Sequence, residues 1–364
     1  MTKKMKQFNS LKKTTRVDFA TYFGVIAAFV IVTVLQSNGS LKRSVIGLLV
    51  PICCYMSMAV SLNLTVGILG ELSLGHAGFM SVGAFSGVIA AISLQNTVTN
   101  DVARLVIAVI VAGACAAIAG VLIGIPVLRL KGDYLAIVTL AFGEIIKNIL
   151  NNLYIGVDGS GLHMSMKSVE AMKMSAGTVI VNGPMGAVGI SKLSTFFTGF
   201  VLIIITLIIT LNLIHSRTGR AVMAIRDNRI AAESVGINIT KYKLMAFVIS
   251  AILAGMAGAV YAMNYSTIVP KKFDFNTSIL ILVFVVLGGI GNIRGSIISA
   301  AVLTILPEAL RSFNDYRMLT YAIVLIIVML ATNNPKMRDS LITLKEKFVG
   351  RREKEAAKGG ALNE

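Results

Sequence analysis

Residues 45–87 read VIGLLVPICCYMSMAVSLNLTVGILGELSLGHAGFMSVGAFSG. The first part, 45–68, carries no charge and exceeds the roughly 20 apolar residues that cross about 30 Å of hydrocarbon. Its continuation, 67–87, holds Gly67, Gly70, Gly75, Gly78, Gly83 and Gly87 together with Glu71, Ser73, His76 and Ser81. Glycine weakens a helix interior and lets another backbone approach closely. Two readings stand for such a segment. Apolar stretches interrupted by glycine and polar groups mark the broken helices that line a transport pathway. Small residues at spacing four, as in Gly83-x-x-x-Gly87 and Gly120-x-x-x-Gly124, also serve close helix packing.

Similar apolar runs continue on either side. Ten segments are predicted: 19–36, 45–68, 72–94, 102–127, 133–150, 196–214, 242–264, 276–290, 296–311 and 316–332. Over the 364 residues 55% are hydrophobic and 14% charged, against roughly 25% charged in a soluble domain. Mean hydropathy is +0.81. In lipid every backbone polar group must be satisfied within its own segment, so these runs are expected to be helices. The expected fold class is all-α integral membrane, with about ten transmembrane helices, some broken or re-entrant, and a cytoplasmic coupling helix. A second segment, 288–299, repeats the polar-plus-glycine pattern with Gly288, Gly289, Gly291, Gly295, Asn292, Arg294 and Ser296.

The net charge of +17 lies in the tails and one internal loop rather than on one soluble face. This is the positive-inside pattern and argues against nucleic acid as a partner. Residues 1–18 carry Lys3, Lys4, Lys6, Lys12, Lys13 and Arg16, and no small-residue cleavage site follows the first span. Ten crossings place this N-tail, the loop 215–241 and the basic tail 333–364 in the cytoplasm, with 19–332 as the membrane domain and 151–195 outside. Lys42, Arg43, Lys271 and Lys272 fall on the wrong side of that scheme.

Ionisable groups at membrane depth are costly and point to function by default. Glu71, Ser73 and His76 in the first broken segment, and Asn292 in the second, are pathway candidates. Glu144, Lys147, Asn148 and Asn151 share one helical face, read either as a stripe lining the route or as a buried structural pair of Glu144 with Lys147. Cys53, Cys54 and Cys115 lie in apolar runs and fit no metal spacing. His76, His163 and His215 occupy different regions, so neither a metal site nor a catalytic cluster is expected. Met164, Met166, Met172 and Met174 give the 151–195 loop an adaptable surface. The chain contains no Gly-Lys dipeptide and hence no P-loop. It is therefore not expected to be an enzyme, nor to hold a cofactor, and any ATP-driven step belongs to another subunit.

The loop SRTGRAVMAIRDNRIAAESVG, residues 216–236, favours helix through its alanines and ends on a glycine suited to a helix C-terminus. Val222 and Ile225 give it a short apolar face among arginines. Such a helix lies on lipid headgroups or docks in a partner's groove.

This loop resembles the EAA-type coupling loop of ABC importer permeases, and the chain is similar to the LivM type of branched-chain amino acid permease. The likeness extends through 61–79 (SLNLTVGILGELSLGHAGF), 131–146 (KGDYLAIVTLAFGEII), 243–259 (KLMAFVISAILAGMAGA) and 288–295 (GGIGNIRG), in the family's order. The chain departs from the family pattern at Glu71, around Asn292 and Ser296, and in a shorter Asp158–Leu162 stretch. The resemblance implies a multi-pass permease of the bacterial plasma membrane that moves leucine, isoleucine, valine or related small polar solutes inward. It implies two cytoplasmic ATPase subunits, a second related permease, an extracellular solute-binding protein and membrane lipid as partners. It also implies an ATPase-coupling role for Gly219, Arg220, Ala224, Ile225, Ala231, Ala232 and Gly236. Relatives of this type handle urea, amides, nucleosides or sugars, which keeps those substrates open. An ion-coupled carrier using Glu71 or Glu144 is the alternative of a different class.

Overall fold

The structure, a computed structural model, describes residues 2–39, 42–130, 132–158, 161–172, 174, 177–311, 316 and 319–326, with side chains from residue 19 onward. It divides into two compact units, residues 1–305 and 306–364. In the second, residues 319–326 are helical. The features described below lie in the first, except for the last four residues of the final helix.

Eleven helices are named in chain order. They are α1 (Thr2–Ser37), α2 (Arg43–Asn63), α3 (His76–Ser93), α4 (Asp101–Val127), α5 (Asp133–Asn151) and α6 (Phe196–His215). Then come α7 (Arg217–Asp227), α8 (Arg229–Ser234), α9 (Ile239–Ala262), α10 (Phe275–Gly288) and α11 (Ile293–Ala309). A π-helical turn, Leu64–Leu69, prolongs α2. Six runs are long and apolar enough to cross a bilayer: Phe19–Ser37, Arg43–Leu69, His76–Ser93, Asp101–Val127, Phe196–His215 and Ile239–Ala262. They coincide with six of the ten predicted segments.

The remaining segments depart from full spans. Segment 133–150 is helical, as α5, but its acids and lysine make it amphipathic. The 276–290 segment becomes the 14-residue α10, only about 21 Å long at 1.5 Å per residue. It is followed by a break and then by the 17-residue α11. Of the 316–332 segment, residues 317–318 and 327–332 lie outside the described residues, as does the whole of 333–364.

Helix starts follow the local sequence. Asn100 accepts from the Val102 and Ala103 amides at the head of α4. Thr195 and Thr198 form a reciprocal capping box on α6. The closest packing uses small residues. Gly83 of α3 rests on the backbone at Gly255 of α9, and a Cβ added to Gly120 of α4 would lie 2.9 Å from the Ala251 methyl carbon. The packing reading of the two glycine pairs thus describes the α3–α4–α9 core.

The 151–195 loop contains structure that its composition did not announce. Strands β1 (Tyr154–Asp158), β2 (Gly161–Ser165), β3 (Gly177–Asn182), β4 (Ala187–Val188) and β5 (Thr267–Ile268) form one sheet in the order β2-β1-β3-β4-β5. All pairings are antiparallel. The helical membrane fold therefore carries a small β-cap at one end. Met172 is buried in this cap, and the Met174 thioether covers Gly156, while Met164 and Met166 stay exposed.

Candidate functional site

The α2 helix changes winding at Asn63. Six residues then take the π form, which is rare and frequent at functional sites. Gly70 ends the turn at φ +80°, a conformation that side chains resist. The backbone runs without regular structure to Gly75, and α3 begins at His76.

A second break faces the first. Between α10 and α11, Gly289–Asn292 reverse the chain, with Gly291 at φ +82°. Fully buried Asn63 joins the two breaks. Its carbonyl oxygen Oδ1 accepts from the Gly291 amide at 2.8 Å, and its Nδ2 donates to Ser296 Oγ at 2.8 Å. A Cβ on Gly67 would strike Asn63 Oδ1 and the Gly291 backbone, so the approach requires glycine there.

Further polar groups extend from this junction. Thr65 Oγ1 donates to Ser250 Oγ at 2.9 Å, which donates to the Ser61 carbonyl at 2.6 Å. Ser61 Oγ lies within hydrogen-bond distance of the Met58 carbonyl, at 2.9 Å, and of His76 Nε2, at 2.7 Å. His76 is buried, with its ring edge-on to Phe79. Ser73 is buried, and its hydroxyl has no partner among the described residues.

Glu71 pairs with Lys243 of α9, and the two side chains are 13% and 7% exposed. Glu144 pairs with Lys147 one turn along α5 and borders a crevice shared with Leu74, Phe273 and Asp274. Asn148 is exposed, away from the buried network. Asn292 is exposed too, and its Oδ1 accepts from the Gly295 amide at 3.3 Å, capping α11. The structure thus gathers Ser73 and His76 near the first break with Glu71, and sets Asn292 on the second. Glu144 and Asn148 lie apart on α5.

The loop 215–241 is a chain of separately capped helices. Ser216, Asn228 and Asn238 accept from the Gly219, Ala231 and Lys241 amides at the heads of α7, α8 and α9. Gly236, at φ +83°, closes α8: its amide donates to the Glu233 carbonyl and the Ile237 amide to that of Ala232. Gly219, Ile225 and Ala232 are buried against the chain's own helices, with Ala224 half-buried; Arg220, Ala231 and Gly236 are exposed. Val222 packs with Leu64, Ile68, Leu69 and Ala246. Arg226 Nη1 donates to the Gly67 carbonyl at 2.9 Å, and its side chain fills the space a Cβ on Gly70 would need. The α7 helix is therefore seated directly on the first break. Ile230 of α8 and Val235, the residue that follows that helix, are 81% and 75% exposed.

Several of these groups escaped sequence reasoning: Asn63, Lys243, Arg226 and an aromatic cluster. In that cluster Tyr55 meets Tyr261 and Phe284 edge-on, and Lys272 lies 4.3 Å from the Tyr265 ring centroid. Burial lowers the Lys272 ammonium below its ordinary range. A lone Asn in an apolar run, or a Lys flanked by spans, carries no spacing that would have flagged it.

Two glycine-broken helices joined by buried polar side chains inside an apolar bundle define a polytopic α-helical membrane protein of the transport class. The chain belongs to the family described as branched-chain amino acid transport system / permease component, whose model matches residues 44–332. It is 34% identical over 293 residues to the high-affinity branched-chain amino acid transport system permease protein LivM of Salmonella typhimurium. It is equally identical over 292 residues to LivM of Escherichia coli K12, each alignment covering 76% of this chain. The chain spans 66% of the length of these relatives. The ribose import permease protein RbsC of Haemophilus influenzae is 28% identical over 123 residues, covering 32% of this chain and 38% of that protein.

Proposed function

We propose that this chain is the membrane-embedded permease subunit of an ATP-driven importer for branched-chain amino acids or related small polar solutes. The observation that carries the reading is the seat of α7 on the first helix break, through Arg226 and the Gly67 carbonyl. Movement of α7 reaches the π turn through Val222 and Arg226, and passes from Asn63 to Gly291 and Ser296 at the second break. A partner ATPase that grips the exposed Arg220, Ile230, Ala231, Val235 and Gly236 would shift both breaks together. Alternating access then needs only a small displacement amplified by packed, bistable helices. The substrate class rests on the names of the LivM relatives. In this scheme both termini and the 215–241 loop face the cytoplasm, and the β-capped end receives solute from a separate binding protein. A second related permease completes the membrane domain.

The test is co-purification followed by reconstitution. The tagged chain is drawn from its native membrane and the accompanying proteins identified. The recovered complex is then placed in liposomes with ATP inside or outside and offered leucine, isoleucine, valine and ribose. An ATPase pair, a second permease and ATP-dependent uptake of a branched-chain amino acid are expected. Recovery of this chain alone, active without ATP, would overturn the proposal in favour of an ion-coupled carrier.

A further inference from the structure

The helix α1 touches the bundle along one narrow face. Phe19, Phe23, Val30 and Ile31 point away from it, whereas Thr21 is buried. Between α1, α2, α6 and α11 runs a groove of about 480 Å³, within the range of small-molecule sites. Gly24 and Ala28 of α1 keep it open, and Phe200, Ile203, Ile297 and Ala301 form its walls. Its lining is apolar apart from Thr21, the Cys53 thiol and a single ionisable side chain, Arg294.

Arg294 sits where the apolar part of α1 begins. Its Nε donates to Thr21 Oγ1 at 2.6 Å. Its Nη2 is buried and has no hydrogen-bond partner among the described residues. A guanidinium nitrogen without an acceptor is costly, and among the described residues no acidic side chain lines the groove to supply one. Five residues before Thr21 the chain carries Arg16, with Lys12 and Lys13 just upstream. Cation density of this kind at one membrane face attracts anionic headgroups.

We propose that this groove binds one anionic phospholipid. An acyl chain lies along Gly24 and Ala28, and the phosphate accepts from Arg294 Nη2. A lipid brings both things that the described lining of the groove lacks, an apolar filling and an anionic acceptor, in one molecule. A helix of another permease chain fitted here would fill the space but would have to bring its own acid to Arg294. The occupant ties α1 to α11, and so to the second helix break.

The protein is purified with its partners in mild detergent and relipidated with phosphatidylglycerol or phosphatidylcholine of identical chains. Bound lipid is counted by native mass spectrometry. One phosphatidylglycerol per chain is expected, held about fivefold more tightly than phosphatidylcholine: both phosphates can accept from Arg294, but only phosphatidylcholine carries a quaternary ammonium that cancels the headgroup charge the arginine attracts. Arg294→Gln should abolish that preference and Arg294→Lys should keep part of it. Ala28→Phe, which fills the groove without touching the charge, should expel both lipids while uptake of solute persists. Ala28→Phe keeps the proposal testable should Arg294→Gln fail to fold. Equal retention of the two lipids by the wild type, or unchanged retention in Ala28→Phe, would overturn the proposal. So would an efficient cross-link from Val302→Cys to a second permease chain with no lipid bound.

Discussion

Removing Lys243 tests whether the first break is held shut by a buried ion pair. Lys243 and Glu71 are separated by 172 residues in sequence, and their side chains are 7% and 13% exposed. At that burial the pair is shielded from water, and the worth of an exposed pair, about 0–1 kcal/mol, does not apply. Lys243→Met leaves the Glu71 carboxylate buried without its cation, a loss of about 3–5 kcal/mol. Replacing both partners, as Lys243→Met with Glu71→Leu, removes the orphan charge and should be near neutral. The wild type, the single variant and the double variant are heated as fluorescent fusions and the surviving fraction is read by size exclusion. At about 2 °C per kcal/mol, expected for a chain of this size, Lys243→Met should melt roughly 6–10 °C lower. The double variant should recover most of the difference. A single variant within about 1 °C of wild type would refute the reasoning, because it would mean that water reaches the pair and the break is held by packing alone.

Three further outcomes are expected. Asn63→Leu strands the Gly291 amide and should cost about 2–3 kcal/mol in the same heat assay, with loss of uptake. Ile230→Glu together with Val235→Glu changes only exposed positions, so the melting point should hold while co-purification of the ATPase falls; undiminished co-purification would remove α8 from the docking surface. Asp274 caps α10 by accepting from the Thr277 amide at 3.0 Å, and Asp274→Ala should cost about 1 kcal/mol. Burial alone would raise the Asp274 carboxyl, but the Thr277 and Asn276 hydrogen bonds and the Lys147 charge bring it below its ordinary 3.8. A depressed carboxyl stabilises the folded form above that value and loses the contribution as pH falls through the lowered one, so Asp274→Ala should abolish this part of the acid sensitivity below about pH 4.

Much of the architecture was legible because hydropathy over a span-length window is a local quantity. The runs from Phe19 to Ser37 and from Asp101 to Val127 needed no tertiary information. The two breaks were legible for a similar reason, since Gly70 and Gly291 are clustered with polar neighbours in otherwise apolar sequence. The Glu144–Lys147 pair was readable from helical spacing. What joined these parts was not. Asn63 reads as one polar residue in a long apolar run, and its partners Gly291 and Ser296 lie more than 220 positions away. Glu71 looked like an isolated acid until Lys243 met it. The β-cap was hidden because β4 and β5 are two residues each, too short for an alternating pattern to register.

The π turn at Leu64–Leu69 has a consequence for how α2 can move. A π turn winds one more residue into the helix than the α form would hold, so the continuous run Arg43–Leu69 carries a residue of slack. Passing that surplus one turn along would rotate the residues between the old and new positions by about 100°, the angle per residue of an α-helix. The backbone ladder would exchange partners but lose few bonds. Asn63 would swing off Gly291 as it turned. The helix could thus operate like a worm gear, in which a small sliding of wound chain becomes a large swing of one side chain.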